Sequence, residues 1–456
     1  MAQRGLIDLN DVVQPLSRTV IKDKLIKLGI KRSELTPLET KELTFYLQDY
    51  TFEVAAFDTS AVLTKVFFKI PDNDRLRFIK ATEPNASINV QPITGVTFYK
   101  GIDGRNFRRS TGFWAYGYLY KKIGYSFSFQ EVSENGLDFR RLKDFGPVSG
   151  ETGTYSKGDK LQFSDFRSTL SYAWKWGHVA IGRDKTTWSY GQQSNVVLSE
   201  KAAATPFLRL DADLTPWLAY NSTIKWLTSN VVDSNTVRST VSPGNNSNDI
   251  VSKYISSHSF MFRLAKGIRL AVGESIIFND QLKFGYIVPI NFFRALSHYN
   301  GEQNKTNANQ ITNSQFFTQL NVRNVIPNTH LYGTFFLDEM SSKNFFKKDL
   351  QRNHSGYTVG ASVANWPFEN GFAGVEYTRT RPYNYLHRVP AQTYTSDNQI
   401  LGHWIGANAD QFFATYTYRV LRGFNASVTY YNVRKGSIGK EHNEIGTPFL
   451  FGEVRT

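Results

Sequence analysis

The sequence predicts an outer-membrane antiparallel β-barrel of about 16–18 strands with a small N-terminal helical plug. Three observations lead there. Runs of about 8–13 residues alternate apolar with small or polar side chains over most of the chain, the length and period of tilted membrane-crossing strands. The chain carries 35 Phe, 24 Tyr and 8 Trp, yet no apolar stretch reaches the roughly 18 residues a spanning helix needs. Short turns alternate with long polar loops rich in Asn, Ser, Lys and Gly.

The first fifty residues differ from the rest. Ser17 can cap a helix running through Leu28, with Val20, Ile21, Leu25 and Leu28 near one face and Gly29 as its stop. Thr36-Pro37-Leu38-Glu39 is a capping box with proline at the first helical position, opening a second helix through Tyr50. Leu38, Leu43, Tyr46 and Leu47 supply its apolar stripe. A unit this small buries little core alone, so it is expected to pack on something larger. Residues 1–55 are therefore assigned to a helical periplasmic or plug segment and 56–456 to the barrel with long extracellular loops.

From about residue 75 the period changes from 3.6 to 2. Phe113, Ala115, Gly117 and Leu119 alternate with Trp114, Tyr116, Tyr118 and Tyr120, and Ile123, Tyr125, Phe127 and Phe129 follow after the Lys121-Lys122 turn. Phe412, Ala414, Tyr416 and Tyr418 lead through Arg422-Gly423 into Phe424, Ala426, Val428 and Tyr430. The long loops are Asp144–Lys160, Ser229–Lys253, Asn300–Ser314 and Ser341–Ser355, and a last strand is expected at Phe449–Val454.

There is no cysteine, which excludes disulfide scaffolds, zinc–thiolate sites and iron–sulfur clusters. The net charge of +14 points to acidic partners, or to basic residues that simply solvate loops and lumen. The charge is scattered without a basic helix or recognition motif, so nucleic acid is not an expected partner. Met-Ala-Gln-Arg has no apolar segment behind it, and the barrel reading implies a signal removed before residue 1 and a place in the outer membrane. The eight histidines show no metal-ligand spacing, and neither a Gly-x-Ser-x-Gly elbow nor a phosphate-cradling loop occurs. Asp338-Glu339 are neighbours on a strand and point to opposite faces, so they do not form an acid–base couple. No catalytic, metal or cofactor site is predicted, and the chain is expected not to be an enzyme.

Two segments concentrate recognition chemistry. Residues 181–210 hold a strand end with Gly182 and Arg183, a loop with Trp188 and Tyr190, and then a strand with Val197, Leu198 and Ser199. An indole can stack on a pyranose face while a guanidinium pairs with a carboxylate or phosphate; the same residues also suit a packed loop with an aromatic anchor. Residues 380–410 hold Arg381, Tyr383, Asn384, Tyr385 and His387, then Tyr394, His403 and Asp410. That set suits a polar ligand, and equally a loop folded into the lumen. Arg183, Trp188, Tyr383, Tyr385 and His387 are the candidate polysaccharide-binding residues.

At these segments the chain resembles the capsule assembly Wzi family of outer-membrane proteins. The resemblance rests on Gly182, Arg183, Trp188, Gly191, Leu198, Ser199 and Pro206. It is supported by Pro289 and Phe292, by Leu331-Tyr332-Gly333 with Leu337-Asp338-Glu339, by the Pro382–His387 and Leu401–Asp410 segments, and by Leu6–Asn10 with Pro15–Arg18. At 187–191 the chain reads Thr-Trp-Ser-Tyr-Gly where the family pattern calls for a Trp-Gly-x-Gly turn, so one glycine is missing. The resemblance implies a barrel of about eighteen strands, plugged by helices, that acts as a lectin-like anchor for capsular or exopolysaccharide. The expected partners are surface polysaccharide, membrane lipid and lipopolysaccharide, with envelope proteins a further option and a monomeric barrel the expected state. The alternatives are a channel or barrel subunit of an envelope transport machine, and a hydrolase or acyltransferase acting on lipopolysaccharide.

Overall fold

The structure, a computed structural model, describes residues 1–50, 53, 64–67, 75–83, 85–102, 104–120, 122–151, 153, 155–233, 236, 238–239, 246–297, 312–339 and 354–436. The expected last strand Phe449–Val454, most of the expected loops Asn300–Ser314 and Ser341–Ser355, and the boundary between residues 55 and 56 lie outside them. The main sheet curls into a barrel whose strands pair antiparallel with their neighbours in chain order. Among the described residues it contains eighteen strands, from Thr64–Phe67 to Phe424–Lys435. The two hairpins expected from alternation are present, with Phe113 opposite Phe129 and Tyr416 opposite Val428. Strand structure begins earlier than the expected residue 75, since Lys65 pairs with Ala81.

Alternation sorts the side chains as a membrane barrel requires. On Asn313–Arg323, Gln315, Phe317, Gln319 and Asn321 are buried inside while Thr318 and Leu320 face out. Val272, Phe335, Val359 and Val375 likewise stand exposed on the outer wall. Connections such as 175–176, 216–217, 266–267 and 422–423 gather at one end, and 136–159, 185–204 and 381–408 at the other. These are called the short-turn end and the long-loop end.

The N-terminal residues pack across the short-turn end. Helix α1 (Arg18–Ile30) is capped by Ser17, whose hydroxyl accepts from the Val20 amide, and runs two residues past the expected end at Leu28. Gly29 keeps a helical backbone, because the Arg32–Glu34 turn continues the coil and a helical glycine costs only about 1 kcal/mol. Helix α2 (Pro37–Asp49) shows the expected capping box, with Glu39 N donating to Thr36 Oγ1 at 3.2 Å and Thr36 N to the Glu39 carboxylate at 2.9 Å. Its buried face differs from the expected stripe: Phe45 is buried and Tyr46 exposed. The helix packs on the barrel as well as on α1, and Phe45 lies beneath the Arg422 guanidinium of the 422–423 turn, 4.1 Å away. Leu6, Leu25, Leu28, Leu43 and Tyr50 form the small core between the two helices.

Ion pairs seat this unit on the barrel. Arg323 forks onto Asp11 with two bonds of 2.8 Å, and Arg419 pairs with Glu42 at 2.8 Å. Arg263 and Arg269 both reach Asp8. Beyond Asp11 the chain turns into the lumen, where Val13 pairs with Trp188 and Gln14 with Thr187 in a two-stranded antiparallel ribbon. The Arg209 side chain holds that ribbon by donating to the carbonyls of Val13 and Pro15, at 3.2 and 2.9 Å.

Candidate functional site

The loop 185–204 enters the lumen from the long-loop end. Trp188 donates its amide to Leu198 O at 2.9 Å, and Ser189 donates to Val12 O at 2.9 Å, so the loop doubles back and meets the N-terminal ribbon. The expected strand at Val197–Ser199 is not formed; Leu198 makes a single bridge to Trp188, and the strand starts at Thr205. The reason is lateral: Ser199 is taken by the second loop, its amide donating to Leu401 O at 2.7 Å and its hydroxyl to Gly402 O at 2.6 Å.

The loop 381–408 folds inward beside it. Tyr383 and Tyr385 both hold positive φ, 66° and 73°, which is costly for residues with a β-carbon. Fixed bonds hold this kink. Tyr385 N donates to Asp338 at 2.6 Å, and its hydroxyl donates to Val196 O at 2.8 Å. Tyr394 donates to Val197 O at 2.7 Å. The rings of Phe336, Tyr385 and Tyr394 pack within 5.4–5.6 Å of one another. Asp338, expected only to lack a catalytic partner, is the wall residue that anchors this kink; Gln315 donates to its other oxygen at 3.1 Å. Lys253 holds the far side of the loop, donating to Thr393 O at 2.6 Å.

A third loop is clamped by Lys201. Its ammonium donates to the carbonyls of Leu142, Lys143, Gly146 and Val148, around the end of helix α3 (Leu137–Asp144). Burial holds this lysine down to about 8. Burial also pulls His403 down to about 3, so it is neutral, and its Nδ1 accepts from the Ile405 amide. Tyr190, facing Asp11 and Arg323 at the base of the plug, is raised to about 12, chiefly by burial.

The five sequence-predicted residues are thereby separated. Trp188 is 0% exposed, its ring edge-on to Phe317 at 5.6 Å, so neither face is open to a sugar. Tyr385 is equally buried and belongs to the same core cluster. Arg183 lies on the outer wall, in register with Ser168 and Pro206 and above the Phe166 ring, with the barrel wall between it and Trp188. Tyr383 and His387 are partly open at the long-loop end, with Arg381 and Arg388 exposed beside them and Tyr383 stacked on His354 at 5.5 Å. Tyr383 and His387 share the partly open stretch of the 381–408 loop, and Trp188 and Tyr385 share one buried core cluster. Lys201, Lys253 and Asp338 were not legible as plug anchors, because each contact joins positions far apart in the chain. A polar cavity of about 400 Å³ remains beside the plug, lined by Asp11, Ser189, Gln192, Ser194, Lys201 and His330 among others. Among the described residues, no cluster of three or more His, Asp or Glu side chains could hold a metal ion.

Comparison with known proteins places this geometry. A family model described as capsule assembly protein Wzi matches residues 103–454. Among solved structures, the chain is similar to Wzi of Escherichia coli, described as an outer membrane protein involved in group 1 capsule assembly and a carbohydrate-binding β-barrel. The two share 10% identity with a TM-score of 0.52, over 95% of this chain and 82% of that one, a likeness of fold. OmpF of Salmonella typhi aligns at 10% identity and a TM-score of 0.39, over 77% of this chain and 92% of that one. OprD of Pseudomonas aeruginosa aligns at 9% and 0.37, over 76% and 74%. No curated protein matches the chain in sequence. The family model covers more than three quarters of the chain, and the chain belongs to the capsule assembly Wzi family.

Proposed function

We propose that this capsule-assembly barrel of the outer membrane holds surface polysaccharide on the outside of a closed lumen. Helices α1 and α2 face the periplasm and the long loops face out. The carrying observation is the continuous filling of the barrel: the 185–204 loop bonds to the N-terminal ribbon at Val12 and to the 381–408 loop at Tyr385 and Leu401. A polymer therefore meets the lip of the 381–408 loop. Tyr383 and His387 supply ring and polar contacts there, and Arg381 and Arg388 supply cations for acidic sugars. Trp188 and Tyr385 are positioning residues beneath that lip. Arg183, on the outer wall, fits the phosphates of lipid or lipopolysaccharide headgroups.

The mechanism is equilibrium binding without bond chemistry. Each contact is weak, and a long repeating polymer gains retention by engaging several copies of the barrel at once. The test titrates polysaccharide isolated from the same strain into purified protein in detergent. Tyr383→Ala combined with His387→Ala is expected to weaken binding at least tenfold, and higher salt to weaken it further. Unchanged affinity in the double variant would contradict the assignment.

A further inference from the structure

The outer wall carries a polar seam in a place where lipid is expected. Register puts Tyr220 level with Phe260 and Val272, Ser222 with His258 and Glu274, and Ile224 with Ser256 and Ile276, all on the outward face. Val272 is exposed, as the outer wall of a membrane barrel should be. One step toward the long-loop end, His258 and Glu274 are buried and in contact at 3.2 Å, and beyond them Ser256, Ile276 and Phe278 are fully covered.

The cover is the chain's own segment 283–297, which leaves the end of strand Ile268–Asn279 and folds back down the outside. Tyr286 and Phe293 plug onto Ile224, Ile276 and Phe278, and Phe293 lies 4.4 Å from the His258 ring. The segment reaches Tyr220, whose hydroxyl donates to Pro289 O. That level is Val272, seven residues below Asn279, or roughly 24 Å along the strand at about 3.4 Å per residue. The segment therefore runs alongside the part of the wall that lipid surrounds.

Irregular backbone survives at such depth only when its polar groups are paired. Here they are. Within the segment Tyr286 N donates to Lys283 O, Ile287 N to Phe284 O, Asn291 N to Val288 O and Leu296 N to Phe292 O, while the Asn291 amide group donates to Gly285 O. The wall supplies further partners: Ser256 donates to Tyr286 O at 2.6 Å, and Glu274 accepts from Phe293 N at 2.6 Å. The polar seam thus supplies two backbone partners to its cover. The opposite side of the cover is apolar, with Phe284, Ile290 and Phe292 exposed at 77%, 83% and 55%.

We infer that residues 283–297 form an intramembrane element on the outside of the barrel, with Phe284, Ile290 and Phe292 inserted among lipid acyl chains. Its placement in the outer leaflet rests on the orientation given under Proposed function; its burial in lipid does not. The chain has no cysteine, so single labels are clean. The full chain carrying Phe284→Cys, Ile290→Cys or Phe292→Cys is labelled with an environment-sensitive thiol fluorophore and reconstituted in phosphatidylcholine vesicles, with Arg388→Cys as the loop control. The expected result is several-fold stronger quenching by acyl-brominated phosphatidylcholine than in the control, with aqueous iodide quenching only the control. Iodide quenching of all three labels without bromolipid quenching would overturn the inference. So would labels reached by neither quencher that cross-link between copies, which would assign the face to a second copy. Adding Glu274→Ala to Ile290→Cys, which strips the Phe293 amide of its acceptor, is expected to raise iodide access several-fold. Surface labelling of the Arg388→Cys control on intact cells tests the orientation separately: failure there with lipid-quenched labels at positions 284, 290 and 292 would reject the orientation and leave the intramembrane element standing.

Discussion

The hydroxyl of Tyr385 donates to the carbonyl of Val196 at 2.8 Å across 189 residues of chain, and this bond joins the two loops that fill the lumen. It is buried, so its loss leaves a carbonyl without a donor, at a cost of about 1–3 kcal/mol. Tyr385→Phe keeps the ring stack with Tyr394 and Phe336 and removes the hydroxyl, which donates to Val196 O and accepts from His403 N at 3.4 Å. Urea unfolding is expected to show a destabilisation in that range, with cell-bound polysaccharide reduced, because the Tyr383–His387 lip stands on this contact.

Ser189 holds a φ of 136°, a backbone that glycine adopts freely, at the position where the sequence resemblance leads us to expect glycine. Its hydroxyl bonds to Thr334 Oγ1 in the wall. Ser189→Gly loses that bond and relieves the backbone, so the net change in unfolding free energy is expected to stay within about 1 kcal/mol. Ser189→Ala loses the bond and keeps the strain, and is expected to be less stable than Ser189→Gly by about 1–2 kcal/mol. Equal stability of the two variants would contradict the strain.

Lys201 provides a pH signature. Its folded value of about 8 lies below its ordinary 10.5 because of burial. Below pH 8 it is protonated in both states and adds no slope. Between about pH 8 and 10.5 the unfolded chain holds the extra proton, so this group makes stability rise with pH. Unfolding at pH 7 to 10 is expected to show the wild type gaining on Lys201→Met across that window. At pH 7 Lys201→Met is itself expected to be destabilised, since four carbonyls lose their donor.

Removing residues 1–50 takes away the ribbon at Val13–Gln14 and the Asp11–Arg323 fork. The loops 185–204 and 381–408 keep their bonds to each other and to the wall. In planar bilayers the full chain is expected to be silent and the truncated chain to show only small conductance steps. Large stable openings in the full chain would favour the channel.

How much of this was legible in the sequence follows from the range of each interaction. Strand alternation, the Thr36–Glu39 capping box and the hairpins at Phe113–Phe129 and Phe412–Tyr430 depend on neighbours a few residues apart or on a face repeated along one strand, and they were read correctly. Phe45 was missed because the α2 face is set by Arg422 of the 422–423 turn. Trp188 and Tyr385 look the same in sequence whether a loop folds inward or outward; partners such as Phe317 and Val196 decide it, and they are remote. Glu274 and His258 sit on an outward face that also carries Val272, Ile276 and Phe278, a signal visible along the strand that makes sense only with Phe293 on top.

The most direct test of the account is the distribution of polysaccharide in a deletion strain, with cell-bound and shed polymer quantified separately. The account predicts less on the cells and a matching gain in the medium, with restoration by the wild-type chain and only partial restoration by the Tyr383→Ala, His387→Ala variant. An unchanged distribution would contradict the anchor.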